Sequence, residues 1–324
     1  MKHENLLNKK MATHPNTPKA VIICGPTGIG KTGFAIELAI KFKAEIIGAD
    51  SMQIYRQMDI GTAKPTPAER SMVAHHMVDI VDPGDAFDAN AYAAMAFQKV
   101  SDLTVRGTIP FIVGGTGLYI KSLVFGLFDA DSNNPSIRNR LQEEAEAKGS
   151  LFLHQKLVNC DPEAAARLHV NDTYRIIRAL EIYEITGRPI SEYHRQHRFK
   201  SRRLNTLSFG LQMEREQLYK RIDARVDAMI QAGLLDEVKR LLAAGYSPEL
   251  KSMQSIGYRH MAEYLSGHMD WEEAVRTLKR DTRRYAKRQM TWFKNNPEII
   301  WVAPRLTEEI QNRISDFLGW QEDK

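Results

Sequence analysis

Eight consecutive residues constrain this chain more than any others: Gly25-Pro26-Thr27-Gly28-Ile29-Gly30-Lys31-Thr32. They satisfy G-x-x-x-x-G-K-[ST] at every fixed position. A short β-branched run (residues 21–24) precedes them, and helical apolar spacing through Phe34, Leu38 and Phe42 follows. Glycines let such a loop curl so that successive backbone N–H groups point inward at phosphate oxygens. The following helix adds its positive N-terminal end. Lys31 supplies a point charge, and the Thr32 hydroxyl is placed to hold Mg²⁺. A ligand-free glycine turn would explain neither the Lys-Thr pair nor the flanking strand and helix. The motif does not say whose phosphates are bound. Nucleoside triphosphates are the default, but a diphosphate of another molecule presents the same oxygens. No Asn-Lys-x-Asp guanine-reading motif is present, which argues against a GTPase.

Two further apolar runs end in chemically useful residues. Residues 44–49 lead to Asp50, and residues 109–113 lead to Gly114-Gly115-Thr116. Strands alternating with helical stretches predict an α/β fold: a P-loop NTPase-like parallel sheet flanked by helices. Ligands of such sheets bind at the carboxyl ends of the strands, so the loop, Asp50 and Thr116 are expected at one edge. Loop chemistry at Asp131-Ser132-Asn133-Asn134-Pro135 then breaks the pattern, and only helical periodicity follows until about residue 198. Residues 204–213 alternate and predict a strand returning to the first sheet, with helices again over 214–293. The expected organisation is a disordered tail over 1–18, the first part of the core over 19–130, an inserted all-helical domain over 131–200, and a return to the core with basic C-terminal helices over 201–324.

The bulk properties agree with an ordinary globular chain. Of 324 residues, 43% are hydrophobic and 26% charged, and 45 Lys and Arg against 40 Asp and Glu give +5. The excess permits an anionic partner without demanding one. Two cysteines, Cys24 and Cys160, make neither a disulfide framework nor a metal cluster, so a reducing cytoplasm is expected. The apolar run after the tail is too short for a signal peptide or a membrane span.

The residues after Asp50 are more specific than the phosphate loop. Asp50-Ser51-Met52-Gln53, then Tyr55, and Met58-Asp59-Ile60-Gly61-Thr62-Ala63-Lys64-Pro65 are followed by His75-His76 before Val78-Asp79-Ile80. Val113-Gly114-Gly115-Thr116-Gly117-Leu118-Tyr119 and Arg175-Ile176-Ile177-Arg178-Ala179-Leu180-Glu181 come next. Ile256-Gly257-Tyr258 and Arg284-Tyr285-Ala286-Lys287-Arg288-Gln289, with Thr291-Trp292, complete the series. Together, over about residues 21–301, they resemble the tRNA dimethylallyltransferase family, also called tRNA isopentenyltransferases. Gly28-Ile29 stands where the family often has Ala followed by a small residue or Val. The chain ends soon after Trp301, without the zinc-finger extension of many eukaryotic members, and so resembles the bacterial form.

The resemblance implies a reaction. The phosphate loop would grip dimethylallyl diphosphate rather than ATP, and the acceptor would be N6 of adenine 37 beside the anticodon. Adenine's exocyclic amine is a poor nucleophile, because its lone pair is delocalised into the ring. It needs a positioned base and a good leaving group. Asp50 is the base the resemblance implies, with Thr116 orienting the reacting groups and Arg225 also reaching the diphosphate. Lys31, Thr32, Mg²⁺ and the loop amides suit the charge left on the departing diphosphate. The implied contacts with the tRNA anticodon stem-loop are Asp50, Ser51, Met52 and Gln53, with Thr116 and Arg138. The insertion adds Tyr174, Arg175, Ile176, Ile177 and Arg178, and the C-terminal part adds Gln254, Ser255, Ile256, Gly257, Tyr258 and Arg259. A side-chain amide such as Gln53 can pair bidentately with adenine. A monomer is expected, with no membrane partner.

Basic residues support nucleic acid independently. Residues 194–203 contain Arg195, Arg198, Lys200, Arg202 and Arg203. Residues 276–294 hold eight basic side chains against one acid, Asp281, interleaved with Tyr285, Trp292 and Phe293, which could stack on bases. Three simpler readings remain at this stage. Asp50 alone could be the Mg²⁺ partner in a P-loop kinase of a nucleotide or small metabolite. Thr116 could be a plain turn. His75-His76 lacks a third metal ligand and is taken as structural.

Overall fold

In a computed structural model, residues 17–127, 134–197 and 202–320 are described. The expected tail therefore lies outside them up to residue 16, as do Arg198 and Lys200 of the first basic stretch. The chain divides into two compact units, one formed by Met1–Gly126 with Arg202–Lys324 and the other by Leu127–Ser201.

The first unit opens with β1 (Lys19–Cys24), α1 (Lys31–Lys41), β2 (Ala44–Gly48), α2 (Pro67–Met72), β3 (His75–His76), α3 (Ala89–Val105), β4 (Ile109–Gly114) and α4 (Gly117–Phe125). The second unit is α5 (Pro135–Lys148), α6 (Ser150–Cys160), α7 (Pro162–Arg167), α8 (Thr173–Thr186) and α9 (Ile190–His197). The first then resumes with β5 (Asn205–Leu211), α10 (Arg215–Gln231), α11 (Leu234–Ala243), α12 (Tyr258–Leu265), α13 (Trp271–Lys294), β6 (Ile300–Val302) and α14 (Glu308–Leu318).

Six strands form one parallel sheet in the order β3-β2-β4-β1-β5-β6. Side chains of β1 alternate between its two faces: Ile22 and Cys24 pack with α3 and α4, while Val21 and Ile23 pack with α1. Burial on both faces explains why β1 reads as an unbroken apolar run. All strands being parallel, β2, β4 and β1 deliver their carboxyl ends side by side. At about 4.8 Å per strand, the ends of β1 and β2 lie roughly 10 Å apart.

Two strands escaped the sequence reading. β3 is two histidines, and β6 is three half-buried residues; neither is long enough to show a period.

The second unit has its own core of Leu141, Leu153, Leu157, Ile176, Ile177 and Leu180. One buried carboxylate organises its polar interior. Glu181 is fully buried and accepts from Arg138 (2.7 Å), Arg178 (2.8 Å) and the Asn134 amide (3.1 Å). These partners hold its pKa below the usual carboxylate range against the opposing effect of burial.

Candidate active site

The phosphate loop joins β1 to α1. Gly28 and Gly30 have φ of +79° and +100°, a region L side chains avoid, so the tight curl needs glycine there. No side chain caps the N-terminus of α1, which leaves its amides for an anion. Lys31 Nζ donates to the Pro26 carbonyl at 2.9 Å, laying the ammonium back across the loop. Burial pushes Lys31 down to about 8, with the Asp50 charge partly restoring it.

A cavity of about 360 Å³ opens beside the loop, lined by Thr27, Gly28, Gly30, Lys31 and Thr32 and by Asp50 and Gln53 opposite. Arg221 and Arg225 of α10 bring two more positive charges to its wall. Arg225 is lowered by burial, and Asp50 opposes that effect. A second cavity of about 300 Å³ is lined by Ser51, Met52, Gln254, Ser255, Ile256, Gly257 and Arg288. Thr27, Asp50, Thr62, Arg225 and Tyr285 wall both cavities. Asp50 therefore stands where a basic, phosphate-sized space meets a more apolar one.

Asp50 is fixed from behind. Its Oδ1 accepts from the Met52 amide (2.9 Å) and the Gln53 amide (3.4 Å). Thr116 Oγ1 accepts from the Ser51 amide at 3.0 Å, so the end of β4 holds the turn that follows β2. Thr116 acts in this structure by tying that turn down. Gln53 Nε2 donates to the carbonyls of Thr62 (3.2 Å) and Ala63 (3.1 Å). Two carbonyl partners fix the amide's orientation and occupy its donor, so bidentate pairing with a base would first require breaking these bonds.

The turn supplying those carbonyls is itself held. Glu237 of α11 accepts from the amides of Asp59, Ile60 and Gly61 and from the Tyr258 hydroxyl. Lys64 Nζ, buried, donates to Asp59, Asp79 and the Tyr55 carbonyl. The side chain of one expected contact residue belongs to this scaffold. Tyr258 is fully buried and bonded to Glu237, so its side chain packs rather than faces a nucleic acid.

In the second unit, the side chains of two more expected contact residues are buried. Ile176 and Ile177 lie on the apolar face of α8, inside its core. Tyr174 and Arg175 on the opposite face are exposed, and Arg138 and Arg178 share Glu181. Within the loop, Ile29 points into the apolar core, so only its backbone can face phosphate. Gly25 and Pro26 do not line the cavity.

The basic stretches are less free than composition suggested. On α13, Arg276 pairs with Glu273, Lys279 with Asp227, Arg280 with Asp281 and Arg283 with Asp223. Arg259 also reaches Asp281. Lys287, Arg288 and Lys294 make no salt bridge among the described residues, and they keep the C-terminal half of the helix positive. Phe293 is buried, whereas Trp292 is partly exposed. Arg203 stacks over the Phe97 ring at 3.9 Å, and Arg202 pairs with Glu298.

Sequence reasoning missed Arg221, Tyr285 and Gln289 as cavity walls, and also His75, whose Nε2 is buried without a hydrogen-bond partner. No group of three His, Cys, Asp or Glu among the described residues could hold a metal ion. A divalent ion here would take the Thr32 hydroxyl and oxygens of the bound phosphate, as Mg²⁺ commonly does. No helix among the described residues is long and apolar enough to cross a membrane.

Comparison with known proteins adds three findings. The family model described as "IPP transferase" matches residues 53–296. A tRNA dimethylallyltransferase of Desulfosudis oleivorans is 52% identical over 307 residues, 94% of this chain and 98% of the relative. One from Syntrophobacter fumaroxidans is 52% identical over 294 residues, 91% of this chain and 86% of the relative. Among solved structures, the full-length tRNA isopentenylpyrophosphate transferase of Bacillus halodurans superposes with a TM-score of 0.69 at 41% identity, covering 93% of this chain and 97% of its own. A eukaryotic dimethylallyltransferase acting on tRNA gives 0.80 at 31% identity, covering 93% and 79%.

Proposed function

The chain belongs to the IPP transferase family and carries the tRNA dimethylallyltransferase activity of its relatives; on that premise we propose how its residues divide the reaction. The donor is dimethylallyl diphosphate in the basic cavity. The acceptor is N6 of adenine 37 beside the anticodon of tRNA, entering by the second cavity. The N6 lone pair forms a bond to the allylic C1 as the C1–O bond breaks, and the diphosphate leaves with that electron pair. Asp50 takes the N6 proton.

Enzymes that act on a stacked base must extrude it, and a second, partly apolar cavity beside the diphosphate site gives it a place to go. Lys31, Arg221, Arg225 and the loop amides hold the diphosphate and stabilise the charge it gains on leaving. The Thr32 hydroxyl would hold Mg²⁺ there, and the ion would supply further neutralisation of that charge. Ser51, Met52 and the segment 254–257 line the base's path, Gln53 stands at its inner end, and Tyr174, Arg175 and Arg138 of the second unit meet the anticodon stem-loop. Arg259 of the first unit, half-exposed, completes the set. The enzyme works as a monomer in the cytoplasm, with its tRNA.

The observation that carries this reading is the pair of cavities sharing Asp50. A small-molecule kinase would also need a second cavity for its acceptor, and the family match over residues 53–296 favours the transferase over it. The test is Asp50→Ala. With the base removed, turnover drops by roughly 10²–10⁴-fold while tRNA is still bound. Turnover close to wild type would sink the assignment of Asp50 as base.

A further inference from the structure

Helix α13 carries three side chains on one stripe, Tyr285, Gln289 and Trp292, spaced i, i+4, i+7. All three touch the loops that build the active site. Gln289 is buried; its Oε1 accepts from the Thr27 amide at 2.9 Å, and its Nε2 donates to the Gly115 carbonyl at 2.9 Å. One side-chain amide thus bridges the phosphate loop after β1 and the Gly-Gly-Thr-Gly turn after β4. Tyr285 lines the same cavity wall as Gln289.

The glycines of that turn follow from the same contact. A Cβ on Gly115 would lie 2.2 Å from Gln289 Nε2, and one on Gly117 would lie 2.1 Å from the Trp292 ring. The helix presses on the turn so closely that only glycine fits at both positions. Thr116, between them, holds the Ser51 amide and with it the turn that carries Asp50. A chain of bonds therefore runs from Thr27 through Gln289, Gly115 and Thr116 to Ser51, beside Asp50. Its two ends are the diphosphate loop and the proposed base.

We propose that Gln289 is a positioning residue for the transfer, setting the spacing between the diphosphate loop and the Thr116–Asp50 turn through its two hydrogen bonds. Although it lines the donor cavity, both polar atoms of its amide are bonded to the protein's own loops. Its effect is geometric: the allylic carbon, held by its diphosphate, must face an N6 placed from the other loop, and a misplacement of about 1 Å can cost on the order of 100-fold in rate. The inference rests on the transferase reading.

Two variants of the full-length protein test it. Gln289→Met keeps the volume and loses both hydrogen bonds. Gln289→Glu keeps the acceptor for Thr27 but sets a carboxylate oxygen against the Gly115 carbonyl. Both are first shown to be folded by thermal melting and circular dichroism, then assayed for kcat, the KM for dimethylallyl diphosphate and the Kd for unmodified tRNA. The expected result is a kcat lowered roughly 30- to 100-fold, more for Glu than for Met, with donor KM and tRNA Kd within about threefold of wild type. Folded variants with wild-type kcat would overturn the proposal. So would a parallel loss of tRNA affinity, which would make Gln289 part of the tRNA-binding surface, or a rise in donor KM alone. A wild-type enzyme that transfers no prenyl group would instead indict the reaction class, which separates the two failures.

Discussion

Lys31 is held in the apo protein at a cost, and Lys31→Met turns that cost into a measurable gain of stability. A pKa of about 8 against an ordinary 10.5 corresponds to about 3 kcal/mol for keeping the ammonium charged. The side chain is still partly exposed through the cavity mouth and donates one hydrogen bond to Pro26, so about 1–2 kcal/mol is the net gain on replacing it with methionine. At neutral pH the melting temperature should rise by roughly 2–6 °C. The sign with pH follows from the lowered pKa. Below about 8 both folded and unfolded chains carry the proton and the wild type bears the full penalty. Between about 8 and 10.5 the folded state loses its proton first, the penalty is relieved, and the advantage of the variant shrinks.

Donor affinity moves the other way. Removing the charge facing the diphosphate costs about 2–5 kcal/mol, a loss of at least roughly 30-fold. In the wild type, donor affinity should weaken as pH rises past about 8. Urea titrations at pH 7 and pH 10, with equilibrium binding of inorganic diphosphate, give both readouts. A variant less stable than wild type at pH 7, or a stability difference that does not shrink toward pH 10, would refute the reasoning.

Two further substitutions probe the surroundings. Glu237→Gln leaves a single acceptor oxygen for three backbone amides and the Tyr258 hydroxyl, so urea titration should show a loss of about 2–3 kcal/mol. The loosened turn behind Gln53 should also raise the KM for tRNA more than that for the donor. Arg138→Ala should weaken tRNA binding more than diphosphate binding. It leaves the buried Glu181 with Arg178 and the Asn134 amide, so the second unit should lose only about 1–3 kcal/mol. Equal loss of both ligands would argue against a tRNA contact at Arg138.

What could be read from the sequence was local. The strand before the phosphate loop, the acid at the end of β2 and the Gly-Gly-Thr-Gly turn after β4 each occupy a few adjacent residues, and parallel-sheet topology brings them to one edge. Gln289 lies 262 residues from Thr27 and 174 from Gly115, and no local pattern announces that its amide joins them. The side-chain burial of Ile176, Ile177 and Tyr258 was not legible in the motifs that contain them. These residues sit inside motifs that resemble a family's tRNA-contact segments, yet helical periodicity turns their side chains into the core. The basic helix was overcounted because its acids, Asp223 and Asp227, come from α10 and cannot be seen along α13 itself. The two strands of two and three residues are made by neighbours in space, not by a period in the chain.

The central claim is that the phosphate loop grips a prenyl diphosphate for transfer to tRNA. It is tested most directly by incubating the purified protein with Mg²⁺, radiolabelled dimethylallyl diphosphate and unmodified tRNA, with and without ATP, and locating the label. Label at adenine 37, formed equally well without ATP, is the predicted result. No label in tRNA, together with ATP hydrolysis or transfer of its phosphate to a small molecule, would contradict it.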